Sequence, residues 1–130
     1  MLLTLLLSLI GSAMGKHSEF WQSPHAPKTA TQSEITVYRV FGGDARAQGF
    51  SWTTVDPRTV SNFRNGLGLP SGGASGSTNT ADFLIKGTVK RSDVLEFKLA
   101  DPLDGNMGGL PELKINPGNV RLNDFSILNP

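Results

Sequence analysis

The chain has 130 residues, with 12 Lys and Arg against 11 Asp and Glu, for a formal net charge of +1. That length suits one domain, and so even a balance makes no electrostatic case for duplex DNA or an anionic membrane, both of which call for clustered positive charge. Cysteine is absent, which excludes a disulfide framework and thiolate chemistry.

The chain opens on MLLTLLLSLIGSAMGK, whose apolar run is too short to span a bilayer, which takes about 20 residues. Small residues follow it, as in a signal peptide, but the positively charged n-region is missing. Two readings therefore stand, a signal-like segment or the apolar stub of a longer precursor, and neither implies stable membrane association. KHSEFWQSPHAPKTATQS mixes Pro, Ser, Thr, Gln and His without apolar period and reads as a linker, with Phe20 and Trp21 as a packing anchor. The histidines, His17 and His25, both fall here, which leaves none for a zinc site or a Ser-His-Asp triad in the folded part. The expected division is residues 1–33 as stub and linker and 34–130 as the domain.

EITVYRVFGG alternates Ile35, Val37, Arg39 and Phe41 with Thr36, Tyr38 and Val40, and predicts a strand closed by Gly-Gly. GFSWTTVDP predicts a second, short strand. Asp56 as N-cap and Pro57 as first residue then predict a helix through RTVSNFRNG, with Val60, Phe63 and Leu67 buried and Gly66 or Gly68 as its stop. GLPSGGASGSTNTA has neither a Gly-Lys-Ser/Thr ending nor dinucleotide-binding spacing, and reads as a mobile flap with Asn79 and Thr80 fixing the next strand.

Two strands follow, Asp82 to Val89 and Val94 to Leu99, joined by the polar turn KRSD. In DPLDGNMGG, Asp101, Asp104 and Asn106 are a faint likeness of a calcium loop, but the rest of the twelve-residue pattern is missing and Pro102 interrupts it. Asp104-Gly105 reads as a tight turn, and no metal is expected. LPELKI is a strand, NPGN a turn, and VRLNDFSIL a last strand with apolar Val120, Leu122, Phe125 and Ile127. One main helix and about six short strands predict an α+β domain with a largely antiparallel sheet and long Gly-rich loops.

Three residues stand out chemically. Arg39 shares a strand face with apolar neighbours, where a guanidinium calls for an anion that fits its fork. Ser51 opens the second strand, and Glu112 enters a late strand behind a proline and a loop of small residues.

Tyr38-Arg39 on a first strand, Ser51-Trp52-Thr53-Thr54 on a following one and a late Glu112 together resemble the signature of Arg-Ser-Glu mono-ADP-ribosyltransferases. The longer strings YRVFGG, SWTTVDP, GLPSGG and PLDGN with GGLPE resemble C-terminal toxin domains of Rhs-type polymorphic effectors, from Glu34 to Pro130. The resemblance implies a small ADP-ribosyltransferase-like fold, with NAD as substrate and no metal. Arg39 would hold the phosphates or ribose of NAD, with Tyr38 beside it. Ser51 would hydrogen-bond that arginine or the nicotinamide ribose, Thr53 and Thr54 would complete the strand motif, and Trp52 would face the core. Glu112 would be the catalytic acid.

It also implies a protein or RNA acceptor in a competing bacterium, elongation factor Tu in the closest subfamily, and inhibited translation. A cognate immunity protein is the implied partner, and the implied workplace of the delivered effector is the target-cell cytoplasm. Leu110 is a departure: many such enzymes carry Glu or Gln there, so a neighbouring carboxyl for acceptor activation is missing. Two other readings stay open. One is a metal-independent ribonuclease toxin, whose glutamate would want a histidine or a lysine such as Lys86, Lys90, Lys98 or Lys114 nearby; the other is a non-enzymatic secreted β-rich binding module.

Overall fold

The computed structural model describes residues 33–128; the signal-like run, His17, His25, Phe20 and Trp21 lie outside the described residues. The elements are β1 (Glu34–Gly43), β2 (Ser51–Trp52), α1 (Phe63–Leu67), β3 (Asn79–Lys90), β4 (Val94–Leu99), β5 (Pro111–Ile115) and β6 (Arg121–Ile127). The strands form two three-stranded antiparallel sheets, ordered β1-β3-β6 and β2-β5-β4. With one short helix this is a small α+β fold, mainly antiparallel β.

The alternation in β1 explains how the sheets stack. Ile35, Val37 and Phe41 join Ile85 and Val89 of β3 in a cluster shared with Trp52, Val94, Leu113 and Ile115 of the second sheet. Val40, in the other phase, packs with Leu69, Ala81 and Leu84, and Tyr38, Phe63 and Leu67 lie against them. β1 is thus covered on both faces, by the second sheet and by α1. Val37, Leu113 and Ile115 are fully buried, so cutting Leu113 or Ile115 to alanine should cost about 2–5 kcal/mol.

The predicted helix over 57–66 is broken in two. Asp56 caps only a short 3-10 turn, Pro57–Thr59, and Val60 is extended at φ −113, ψ 129. A new start follows at Asn62, whose side chain accepts from the Asn65 amide, and the five-residue α1 ends on Gly68 in the left-handed region. The reason is local: β-branched Thr59 and Val60 and side chains that bond their own backbone compete with helix propagation. Thr59 Oγ1 donates to the Asp56 carbonyl at 2.7 Å.

KRSD does not close a hairpin. β3 already has β1 on one side and β6 on the other, so the turn carries the chain into the second sheet, where β4 pairs with β5. Of the apolar positions expected in the last strand only Val120, which precedes β6, is buried; Leu122, Phe125 and Ile127 are 55, 56 and 60% exposed. They sit on an edge strand, where Phe125 gains a stacked contact with Phe83 at 5.6 Å between ring centroids.

The glycine-rich segment, expected as a mobile flap, is bonded to the loop after β4 at Ser71 and Ser75. The Asp104 carboxylate accepts from the Ser71 amide at 2.8 Å and the Ser75 amide at 3.0 Å, and also from the Ser75 hydroxyl. Those donors pull the Asp104 carboxyl down to about 2, the Ser75 hydroxyl most of all. Asp104 and Gly105, both at positive φ, form the tight turn between paired Leu103 and Asn106. Asn79 fixes β3 as expected: its side chain donates to the Val40 carbonyl and accepts from the Ala81 amide.

Candidate functional site

A cleft of about 550 Å³ runs where the two sheets approach each other, within the size range of small-molecule sites. Tyr38, Arg39, Ser51, Thr53 and Glu112 all line it, from β1, the β2 segment and β5. Leu67 to Pro70 at the end of α1, Asn79, Lys98 and Asp101 to Leu103 add to the wall. Residues far apart in the chain and singled out by their chemistry therefore share one cavity.

Arg39 is anchored by backbone oxygen. Nε donates to the carbonyls of Arg46 and Ala47, both at 3.1 Å, Nη2 to Arg46 at 2.6 Å and Nη1 to Ser51 at 3.0 Å. The expected link between Arg39 and Ser51 exists, but through the serine's carbonyl and not its hydroxyl. Gly49 lies flat on the guanidinium: a Cβ there would fall 2.2 Å from Nη2. Burial, and then the nearby Arg46, push the Arg39 guanidinium below its ordinary value. Among the described residues no carboxylate forms a salt bridge with it. The result is a half-buried cation held by neutral dipoles, with one further N–H on each terminal nitrogen.

The Ser51 hydroxyl belongs to a second constellation. Antiparallel pairing sets Ser51 beside Lys114, and Lys114 Nζ donates to Ser51 Oγ at 2.8 Å. The same ammonium lies 3.0 Å from Glu112 Oε2. Lys98, paired with Glu112 across β4 and β5, reaches Oε1 only at 3.9 Å, because its Nζ is held by Asp101 at 2.6 Å. That bond to Asp101 raises the Lys98 ammonium and lowers the Asp101 carboxyl. The period of β5 is what sorts these groups: Pro111, Leu113 and Ile115 are buried, while Glu112 and Lys114 alternate with them on the more open face.

Tyr38 and Thr53 support the site through their backbones, which form an isolated bridge between the strands. Burial, and then Asp56, push the Tyr38 hydroxyl up. Thr53 is buried and its Oγ1 accepts from the Val55 amide. Trp52 is a core residue, as expected, with Nε1 bonded to the Gly49 carbonyl at 2.8 Å.

Leu110 packs on α1, where a side chain at Gly66 would meet its Cδ1 at 2.6 Å. Leu110 is thus a packing contact and is not among the residues that line the cleft. Among the described residues no group of three or more His, Cys, Asp or Glu side chains could hold a metal ion, and no helix is long and apolar enough to cross a membrane.

Reading along the chain missed Lys114 as a partner of Ser51 and Glu112. The signal was present in PELKI, where a two-residue strand period sets Glu112 and Lys114 on one face. Asp101 and Lys98 carry no such sequence signal, because their meeting depends on the loop after β4. No family model matches the chain, and no curated protein or solved structure matches it either.

Proposed function

We propose that residues 34–130 are an ADP-ribosyltransferase-like toxin domain that cleaves NAD in this cleft and transfers ADP-ribose to a macromolecule. The observation that carries the reading is the convergence of Arg39, Ser51 and Glu112 on one cavity from separate strands. The chemistry of each is suited to NAD. A half-buried guanidinium without a paired carboxylate attracts the anionic pyrophosphate or the ribose hydroxyls, and its position is fixed before the ligand arrives. Glu112 supplies negative charge in a cleft partly shielded from water, where an oxocarbenium-like ribose would need it.

In this reaction the bond between C1′ of the ribose and the nicotinamide nitrogen breaks, and its electron pair leaves with neutral nicotinamide. The acceptor's lone pair forms the new bond to C1′, and the acceptor's proton passes to solvent. Glu112 would hydrogen-bond the ribose and stabilise the positive charge, while Arg39 and Ser51 orient the nucleotide. With Leu110 apolar and packed on α1, the acceptor must arrive already nucleophilic or be activated by Glu112 itself. By the sequence resemblance the acceptor is a protein or RNA of a competing bacterium, with elongation factor Tu the first to test. A cognate immunity protein would protect the producer, and the domain would act in the target-cell cytoplasm.

The test is to incubate the protein with NAD labelled in its adenylate and a bacterial lysate, and to follow transfer of label to a macromolecule. One observation favours a second reading. Lys114 and Lys98 lie beside Glu112 at 3.0 and 3.9 Å, the neighbours a metal-independent ribonuclease would want. Release of RNA fragments without NAD, and no transfer of label, would select it.

A further inference from the structure

We infer that Lys114 is a positioning residue for the reaction proposed above, fixing both the orientation of the Glu112 carboxylate and the direction in which the Ser51 hydroxyl donates. The inference rests on that reading of the cleft. Lys114 Nζ bridges Ser51 Oγ at 2.8 Å and Glu112 Oε2 at 3.0 Å. One carboxylate oxygen is thereby tied down. The other, Oε1, has Lys98 Nζ at 3.9 Å, beyond hydrogen-bond range, since that ammonium is held by Asp101. Glu112 thus keeps Oε1 for a ribose hydroxyl.

The serine is polarised by the same contact. A hydroxyl has one proton to give and two lone pairs to accept with. Lys114 has no acceptor, so at this contact Ser51 must accept, and its own proton stays available for a different partner. The ammonium therefore turns a freely rotating hydroxyl into a directed donor and an unconstrained carboxylate into a directed acceptor. The strands supply the spacing: Lys114 faces Ser51 across the β2–β5 pair and stands two residues from Glu112 on β5. Lys114 touches neither reacting atom in this scheme. Its charge also limits what it can do, because an ammonium engaged by a carboxylate is no base toward serine.

The test compares full-length wild type, Lys114→Met, Lys114→Arg and Glu112→Gln in NAD hydrolysis, with kcat and KM separated and thermal unfolding recorded for each. Lys114→Met should lose roughly 10- to 100-fold in kcat, the size of a misplaced reacting group, while KM for NAD moves less than about twofold. Lys114→Arg, whose fork can span both partners, should recover most of that loss. Unfolding temperatures should stay close to wild type, because the contact is partly exposed, with 35% of the Lys114 and 19% of the Glu112 side chain open to solvent. An unchanged kcat in Lys114→Met, or an arginine variant as slow as the methionine one, overturns the inference while leaving the proposed function in place. A fall in activity matched by a fall in unfolding temperature also overturns it, as a purely structural role. If wild type itself fails to cleave NAD, with Glu112→Gln indistinguishable from it, the proposed function falls and this inference with it.

Discussion

Tyr38 and Thr53 exchange both backbone hydrogen bonds, Tyr38 N to Thr53 O at 2.8 Å and Thr53 N to Tyr38 O at 2.9 Å. This bridge connects the sheet that carries Arg39 with the one that carries Glu112, and so sets the width of the cleft between them. Arg39 reinforces it one residue along the strand by bonding the Ser51 carbonyl.

Thr53→Val tests the joint without changing its shape. The residue is 3% exposed and its hydroxyl accepts from the Val55 amide at 3.2 Å. Valine leaves that donor unpaired, so stability to urea should fall by about 1–3 kcal/mol. A change within measurement error would mean the Val55 amide is hydrated.

Arg39→Lys keeps the charge and should still fail. The guanidinium reaches carbonyls of Arg46, Ala47 and Ser51 from three different nitrogens, a span one ammonium cannot cover. Unfolding free energy should drop by about 2 kcal/mol, and NAD affinity measured by calorimetry should fall at least roughly tenfold. Wild-type affinity in this variant would make Arg39 a loop anchor alone.

Gly108 and Gly109 should separate steric from conformational cost. Both have positive φ, 75 and 104, but a Cβ at Gly108 would lie 2.1 Å from the Ala100 carbonyl oxygen, whereas Gly109 faces open space. Gly109→Ala should cost about 1–3 kcal/mol of backbone strain. Gly108→Ala should cost more, because it forces the loop ahead of Glu112 off β4. The comparison is of urea midpoints at matched slope.

Asp104 gives the glycine-rich clasp a pH signature. Its folded carboxyl is lowered to about 2 from 3.8 by the Ser75 and Ser71 donors. A depressed carboxylate contributes stability that is fully present above the unfolded value and is lost as pH falls through the folded one. Asp104→Asn should therefore be less stable than wild type at neutral pH, with the gap closing between pH 3.8 and about 2. A gap that does not change over that window would show that the clasp does not depend on ionised Asp104.

The sequence reading was most accurate where one local rule decided the outcome. β1 matches its expected bounds, Glu34 to Gly43, because apolar alternation and a Gly-Gly end leave little choice. β5 and the Asp104-Gly105 turn were legible for similar reasons. The helix failed at Val60, where a good N-cap at Asp56 said nothing about whether the next turn could propagate. The turn at KRSD was legible as a turn, but that it would lead into another sheet was not, because pairing partners are set by the whole sheet and β3 is already flanked by β1 and β6. Apolar Leu122, Phe125 and Ile127 could not announce that β6 would be an edge. For the site, residue types pointed to Arg39, Ser51 and Glu112, while their meeting in one cleft is tertiary. The contacts of Lys114 with Ser51 and Glu112 needed both the period of β5 and its pairing with β2.

The most direct measurement is transfer of radiolabel from adenylate-labelled NAD by wild-type and Glu112→Gln protein, with circular dichroism to check that both are folded. Glutamine keeps the shape and one hydrogen-bonding oxygen but removes the charge that a positive ribose would need. The account predicts labelled macromolecule and released nicotinamide with wild type, and a loss of at least roughly 100-fold in both with Glu112→Gln. Equal NAD cleavage by the two proteins, or none by folded wild type, would contradict it.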